Sequence, residues 1–398
     1  MLFFVQPFYS EVRLVVKDFG KVLGAKQVQG RRFMKSSRPA KTLEGLQGKM
    51  PRRLKRVVSA KTSLKAALLI STFLVTLTLV PYDVRAQTAP TPSLDQGKTN
   101  GVPAQVVGAF DTLFGGSHAE MRAVHAKGVL CEGVFAPDPG ARTLTRAEHL
   151  QGEEVPVLVR FSNFSGAPTT ADNDPTANPR GMAIKFLLPG GNETDIVAHS
   201  YNGFPAATPE EFLHFLTALA VPANLEAFLA QHPAALAFME TPKPTPASYG
   251  SESFFGVSAF RFTNAAGVVR HGRYRLVPVA GGEYLAETDA AGRAPNFLRR
   301  ELAERLALSP VLFRLSVQLA DESDPITNGS LVWPSDRPMV ELGTLRLHAL
   351  VPDGDAAQRE LLFTPLNLVG GIAATADPML VARTQAYRIS HERRRVPQ

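Results

Sequence analysis

Cysteine is nearly absent from this chain of 398 residues. Cys131 stands alone, so no intramolecular disulfide can form, and the chain is compatible with any redox compartment. Long hydrophobic runs are also lacking. The apolar stretch at residues 66–80, AALLISTFLVTLTLV, falls short of the roughly 20 residues that a spanning helix needs. A strong charge of one sign is missing from most of the chain. The net charge is +7, but residues 1–86 hold 17 of the 43 basic residues and only 4 of the 36 acidic ones. The remainder carries 26 basic against 32 acidic residues and gives no reason to expect nucleic-acid binding.

What is present begins with an export pattern. Met50 opens a basic run, the apolar stretch follows, Pro81 breaks it, and Val84 and Ala86 take the −3 and −1 places of a cleavage site before Gln87. Residues 50–86 therefore read as a signal peptide leading to the periplasm, with a retained membrane anchor as the alternative. Residues 1–49 read as an extension ahead of a start at Met50, and residues 87–104, rich in Pro and Thr, as a flexible linker. Residues 105–398 form the main domain. With 44% apolar residues, the chain can bury one large core or two smaller ones.

A helix is expected at residues 377–394, DPMLVARTQAYRISHERR, with Asp377 as its cap and Pro378 in its first turn. Arg383, Tyr387, His391 and Arg394 fall on one face. A guanidinium one turn before a phenol favours its anionic form, and tyrosinate is a hard ligand for ferric iron. Taken alone, the helix also reads as a solvated amphipathic surface. Upstream, Thr208 to Glu211 read as a capping box opening a helix to about Ala220, and 223–231 as another helix. Residues 242–253 read as a loop and 296–308 as a helix. Residues 155–162, 268–278 and 311–319 alternate as strands, the last with Phe313, Leu315, Val317 and Leu319 opposite Arg314, Ser316 and Gln318. Periodicity alone gives a mixed α and β chain; its many spaced strands suit a closed barrel.

RAVHAKG (122–128), VRFSNFSG (159–166), NPRGMAIKF (178–186), WPSDRPMVELGTLRL (333–347) and the RTQAY beginning at Arg383 come in an order that resembles the haem catalases. The likeness covers about 105–398. It implies an α+β fold, a closed antiparallel β-barrel with surrounding helices and haem buried against it. It implies His125 as the distal histidine, with Ser162 hydrogen-bonded to it, and Tyr387 as the iron ligand supported by Arg383. Arg122, Arg160 and Arg394 would hold the haem propionates, Phe212 would stack at the haem edge, and Val124 would lie over its face.

One departure concerns the asparagine of large catalases, whose place by spacing is taken by His199; Asn202 comes three positions late. The segment DIVAHSYNGFP resembles the small catalase-related peroxidases instead. The resemblance thus implies a haem peroxidase acting on hydrogen peroxide or small organic hydroperoxides with an organic electron donor. True disproportionation, hydroperoxide isomerisation and simple haem carriage are the alternatives. Lack of a C-x-x-C-H motif points away from c-type attachment and toward haem b. The chain ends four residues after Arg394, so no NADPH site and a monomer or homodimer are expected.

Overall fold

In the computed structural model, residues 101–396 are described. The expected extension, signal peptide and most of the linker lie outside them. The first helix, α1 (Val102–Leu113), starts within the stretch read as linker, with Gly101 as cap and Pro103 in its first turn.

Ten strands follow: β1 (Gly128–Pro137), β2 (Val155–Ser162), β3 (Gly181–Leu187), β4 (Glu193–His199), β5 (Phe254–Phe255), β6 (Phe260–Thr263), β7 (Val269–Pro278), β8 (Val311–Leu319), β9 (Met339–Leu350) and β10 (Ile372–Ala374). The helices after α1 are α2 (Ala141–Leu144), α3 (Pro209–Ala220), α4 (Pro222–Gln231), α5 (Pro233–Glu240), α6 (Glu287–Ala291), α7 (Phe297–Leu308), α8 (Gly354–Glu360) and α9 (Pro378–Arg395). The strands join antiparallel in the order β10-β6-β7-β5-β4-β3-β2-β1-β9-β8. The pairing of β8 with β7 closes an eight-stranded barrel, from which β6 and β10 extend. One edge of β7 is shared, with β6 on Val269 to Gly272 and β5 on Arg275 and Leu276.

Closure removes the sheet edges that would otherwise be open to pairing. It also gives every barrel strand an inner face. Val157, Val159 and Phe161 of β2, Ile184 and Phe186 of β3, and Phe313, Leu315 and Val317 of β8 alternate inward and are buried. Removing the ring of a residue such as Phe313 leaves a cavity worth about 3–5 kcal/mol. The expected strand and its two faces hold in β8, and the face opposite the apolar one is itself partly covered. Only Arg314 there is exposed, while Ser316 and Gln318 are buried. The Gln318 amide accepts from Arg275 and donates to the Pro334 carbonyl, so the chain around Pro334 covers the outer side.

A second cluster lies beside the barrel, where Val106, Phe110 and Phe114 of α1 and its C-terminal end meet Phe215, Leu216 and Leu219 of α3 and Leu225 and Leu229 of α4. The helices α3, α4 and α5 each open with a proline, where a missing N–H costs nothing. At α3 the Thr208 hydroxyl accepts from the Glu211 N–H, as expected. The reciprocal half of the capping box differs, since the Glu211 carboxylate accepts from the N–H of Ala207, one residue earlier. The α5 turn was not legible beforehand; the 242–253 stretch is loop apart from a single 3-10 turn, Tyr249–Ser251.

His149 sits in the barrel core, 4.7 Å from the Phe186 ring, with a buried Nδ1 that has no hydrogen-bond partner. Burial lowers its pKa to about 4 from 6.5. An unfolded chain binds this proton as pH drops below 6.5, whereas the folded chain does not until near 4. Stability present above 6.5 is therefore lost between 6.5 and 4. We expect the thermal midpoint of a His149→Phe variant to fall less steeply over that window than the wild type's; parallel curves would refute this.

Candidate active site

One wall of the site comes directly from strand register. Ser162 of β2 faces Gly181 of β3, and Gly181 faces His199 of β4. Two residues along, Arg160 faces Ala183, which faces Val197. Directly opposed residues project from the same side of a sheet. These six therefore share the face turned away from the barrel core, and their neighbours Val159, Phe161, Ile184 and Ile196 supply the core.

His125 lies over this wall. Its backbone has φ +59°, a region that costs a non-glycine residue of order 1–3 kcal/mol. Two backbone bonds hold it there, His125 N–H to Phe164 O at 2.8 Å and Ala126 N–H to Ser165 O at 3.0 Å. The ring's Nδ1 is 3.0 Å from Ser162 Oγ, which leaves Nε2 for the cavity, and the Phe164 ring meets it edge-on. A methyl at Gly181 would lie 2.6 Å from Ser162 Oγ and 2.8 Å from two atoms of the His125 ring. Only glycine lets the histidine approach so closely. Burial, then Arg160, His199 and Arg122, lower the His125 pKa to about 3, so the imidazole is neutral at ordinary pH.

The opposite wall is α9. Asp377 caps it through the Met379 N–H, as expected. Arg383 donates from Nε and Nη2 to the Tyr387 phenol oxygen at 3.3 and 3.2 Å. Ser390 Oγ accepts from the Ala123 N–H at 3.1 Å, which ties α9 to the loop carrying Arg122, Val124 and His125. Of the face expected on this helix, His391 departs. It bonds the Glu360 carbonyl and does not line the cavity, and Ser390 takes its place on the track from Tyr387 to Arg394.

Three guanidiniums close one end. Arg122 donates to the carbonyls of Gln358 and Leu361, Arg394 to those of Arg359 and Leu361, and Arg160 to the Gln358 side chain and the carbonyls of His125 and Ala126. Among the described residues none of the three forms a salt bridge with a carboxylate. Burial lowers the pKa of Arg160 and Arg394 to about 10, and that of Arg122 well below its usual value, with further lowering of Arg122 by the other two. Three crowded cations without an anion form a receptor for a doubly anionic group.

The cavity, part of which opens to solvent, is lined by all nine residues singled out from the sequence: Arg122, Val124, His125, Arg160, Ser162, Phe212, Arg383, Tyr387 and Arg394. His199 lines it too, and Asn202 does not. Sequence reasoning missed Phe164, Phe204 and Ser390 in the lining and Gln358 behind Arg160. The Ser390 signal was available, three residues after Tyr387 on the same face. The donor set fits a ferric porphyrin: a phenol oxygen on one side, an imidazole on the other, apolar walls between, and guanidiniums for two propionates.

Residues 112–398 match the family model described as Catalase. The chain belongs to the catalase family. It is 39% identical over 283 residues to the catalase-related peroxidase of Mycolicibacterium paratuberculosis, covering 69% of this chain and 90% of that protein. With the catalase-related peroxidase of Synechococcus elongatus it shares 33% over 307 residues, covering 74% and 89%. Among solved structures, catalase A from Saccharomyces cerevisiae superposes with a TM-score of 0.64 at 22% identity, covering 70% of this chain and 62% of that one; this likeness speaks to the fold alone.

In this catalase-family site we expect Gly181→Ala to break the Ser162–His125 contact and to destabilise the fold by about 1–3 kcal/mol, the usual range for overpacking. Chemical denaturation and the imidazole NMR signals read both effects. A variant with wild-type stability and an unshifted His125 resonance would contradict the close approach.

Proposed function

We propose that this chain is a haem-dependent peroxidase that reduces hydrogen peroxide or small organic hydroperoxides with electrons from an organic donor. The chain is an oxidoreductase of the catalase family, acting on peroxide. The observation that carries the haem reading is the set of three guanidiniums without carboxylate partners at one end of a cavity that has His125 and Tyr387 on its walls. Arg122, Arg160 and Arg394 would hold two propionates, and planar guanidinium suits paired bonding to carboxylate. Tyr387 would supply the iron ligand, its oxygen already held by two N–H groups of Arg383. Val124 and Phe212 would flank the ring, and the haem would be of the b type.

The haem iron, when bound, supplies the centre at which the peroxide O–O bond is polarised and broken. His125 does the proton work. Neutral at ordinary pH, its Nε2 takes the proton from the inner peroxide oxygen and returns it to the outer one, which leaves as water or an alcohol. Ser162 keeps the ring oriented through Nδ1. Phe164 and the apolar lining limit water around that transfer. Two electrons from the organic donor, with two protons, complete the reduction of the peroxide. The related peroxidases' names and the His199 departure favour this over disproportionation, which would release oxygen with no donor present.

Residues 50–86 support export to the periplasm, and a mature N-terminus at Gln87 is the corresponding check. Among the described residues no helix is long and apolar enough to cross a membrane.

The test is an absorption titration with haem followed by one equivalent of peroxide. Wild type should bind haem and turn over a donor dye without evolving oxygen. Tyr387→Phe should lose haem or bind it with an altered spectrum, and an unchanged spectrum would remove the ligand assignment. His125→Ala should keep haem yet lose peroxide cleavage by about 10²-fold or more. An equal rate in that variant would show that the histidine carries no proton.

A further inference from the structure

Three of the five methionines among the described residues, Met182, Met239 and Met379, line the cavity. The other two, Met121 and Met339, lie outside it and are 39% and 50% exposed. Among the described residues the lining holds no cysteine or tryptophan, and its single phenol, Tyr387, is engaged by Arg383. A thioether is soft and polarizable, and it gives two electrons to an oxidant by becoming a sulfoxide. In a cavity that handles peroxide, these sulfurs are the lining groups most open to that chemistry.

The three differ in where the fold puts them. Met182 is in register with Phe161 and Ala198 and belongs to the barrel core, on the side of the sheet opposite Gly181. Met379 lies in the first turn of α9, eight residues and about 12 Å along the helix before Tyr387, on the wall of the proposed iron ligand. Met239 lies near the end of α5, half-buried and packed against the apolar cluster of Phe212, Phe215 and Phe238. A run of rings ties that cluster to the strand wall: His199 to Phe204 at 6.2 Å, Phe204 to Phe212 at 4.8 Å, Phe212 to Phe215 at 6.4 Å and Phe215 to Phe238 at 6.0 Å. Asn178, three residues before Gly181, donates from Nδ2 to the Lys243 carbonyl at 3.0 Å and holds the end of α5 there. Met239 therefore stands on the His125 side of the cavity, and its unbranched side chain can turn its sulfur inward.

We propose that Met239 is an internal reductant, oxidised to the sulfoxide in place of the organic donor when that donor runs out. The assignment rests on the haem reading above. The step balances without a further co-reactant. The peroxide O–O bond breaks and an S–O bond forms at Met239; the sulfur loses two electrons, and the peroxide gains them and leaves as water or an alcohol. Without this thioether the same oxidising equivalents would fall on the porphyrin or on Tyr387. The product is a polar S=O among apolar rings, an unfavourable placement that makes the modified cavity a poorer host for an apolar guest. A sulfoxide-reducing reaction must then restore the thioether, and its half-burial leaves it within reach.

The test is peptide mass spectrometry on the whole protein after hydrogen peroxide, with and without bound haem and with and without a donor dye. In the haem-loaded protein without donor, Met239 should gain one oxygen atom before the exposed Met121 and Met339 do. In the haem-free protein the order should follow exposure, with Met121 and Met339 ahead. The donor dye should keep Met239 unoxidised until it is consumed. Met239→Leu conserves volume and apolar character, so it should still load haem. It should lose the added oxygen at this position and bleach its haem absorption after fewer equivalents of peroxide than wild type. The same order of oxidation with and without haem, Met379 ahead of Met239, or a loaded Met239→Leu that bleaches at the wild-type pace would overturn the assignment of Met239 while leaving the haem reading intact. A wild-type chain that takes up no haem would overturn that reading itself, and this one with it.

Discussion

The site depends on positive charge that the protein does not neutralise with a carboxylate. Removing one ion from water costs several kcal/mol even after relaxation, and here three guanidiniums share one end of a cavity. The compensation is dipolar. Their hydrogen bonds converge on residues 358–361, at and just beyond the C-terminal end of α8. A helix C-terminus leaves carbonyls without intrahelical partners and carries the negative end of the helix dipole. Those carbonyls fix the directions of Arg122 and Arg394, and Gln358 fixes Arg160. They do not cancel the charges, as the depressed pKa of Arg122 records. The receptor is thus preorganised, and an incoming dianion meets donors already aimed at it.

Rigidity on the other side comes from the barrel. His125 belongs to a loop, yet its position is set by β2 and β3, because Ser162 and Gly181 leave it one place to go. Its left-handed backbone is held by two ladder-like bonds to Phe164 and Ser165, roughly matching in size the conformational cost they offset. Ser390 then links that loop to α9. The two faces of the cavity are therefore built from different elements and held at a fixed separation by one hydroxyl and by packing of α9 on α1.

Much of this was legible in the sequence, and the reasons for the gaps are physical. The stripe Arg383–Tyr387–Arg394 and the alternation of VPVLVRFS announced a polar face on a helix and a two-sided strand. Alternation does not say which side is covered. Arg160 reads like a surface charge, but helices and loops enclose the outer face there and bury it. Ser316 and Gln318 are buried for the same reason, because burial of a barrel's outside depends on distant segments. Gln358 carried no local signal, since its role exists only once α8 meets β2 across some 200 residues of sequence. His391 and Ser390 differ by one residue, about 100° of helical turn, and a slightly wrong choice of stripe exchanged one for the other.

The low polarity that makes the histidines useful also limits the protein. His125, His149 and His199 all have pKa values lowered by burial, to about 3, 4 and 3. The proposed proton transfer requires a neutral His125, since a protonated imidazole has no lone pair with which to take a proton from peroxide. For His199 neutrality keeps the backbone-bonded Nδ1 an acceptor. Each such ring binds a proton more readily in the unfolded chain, so each lowers stability as pH falls below 6.5. His149, buried and away from the cavity, carries the same acid liability with no place in the proposed chemistry. The cost of acid sensitivity is thus tied to the proposed function at His125, and at His149 it follows from a polar nitrogen enclosed without a partner.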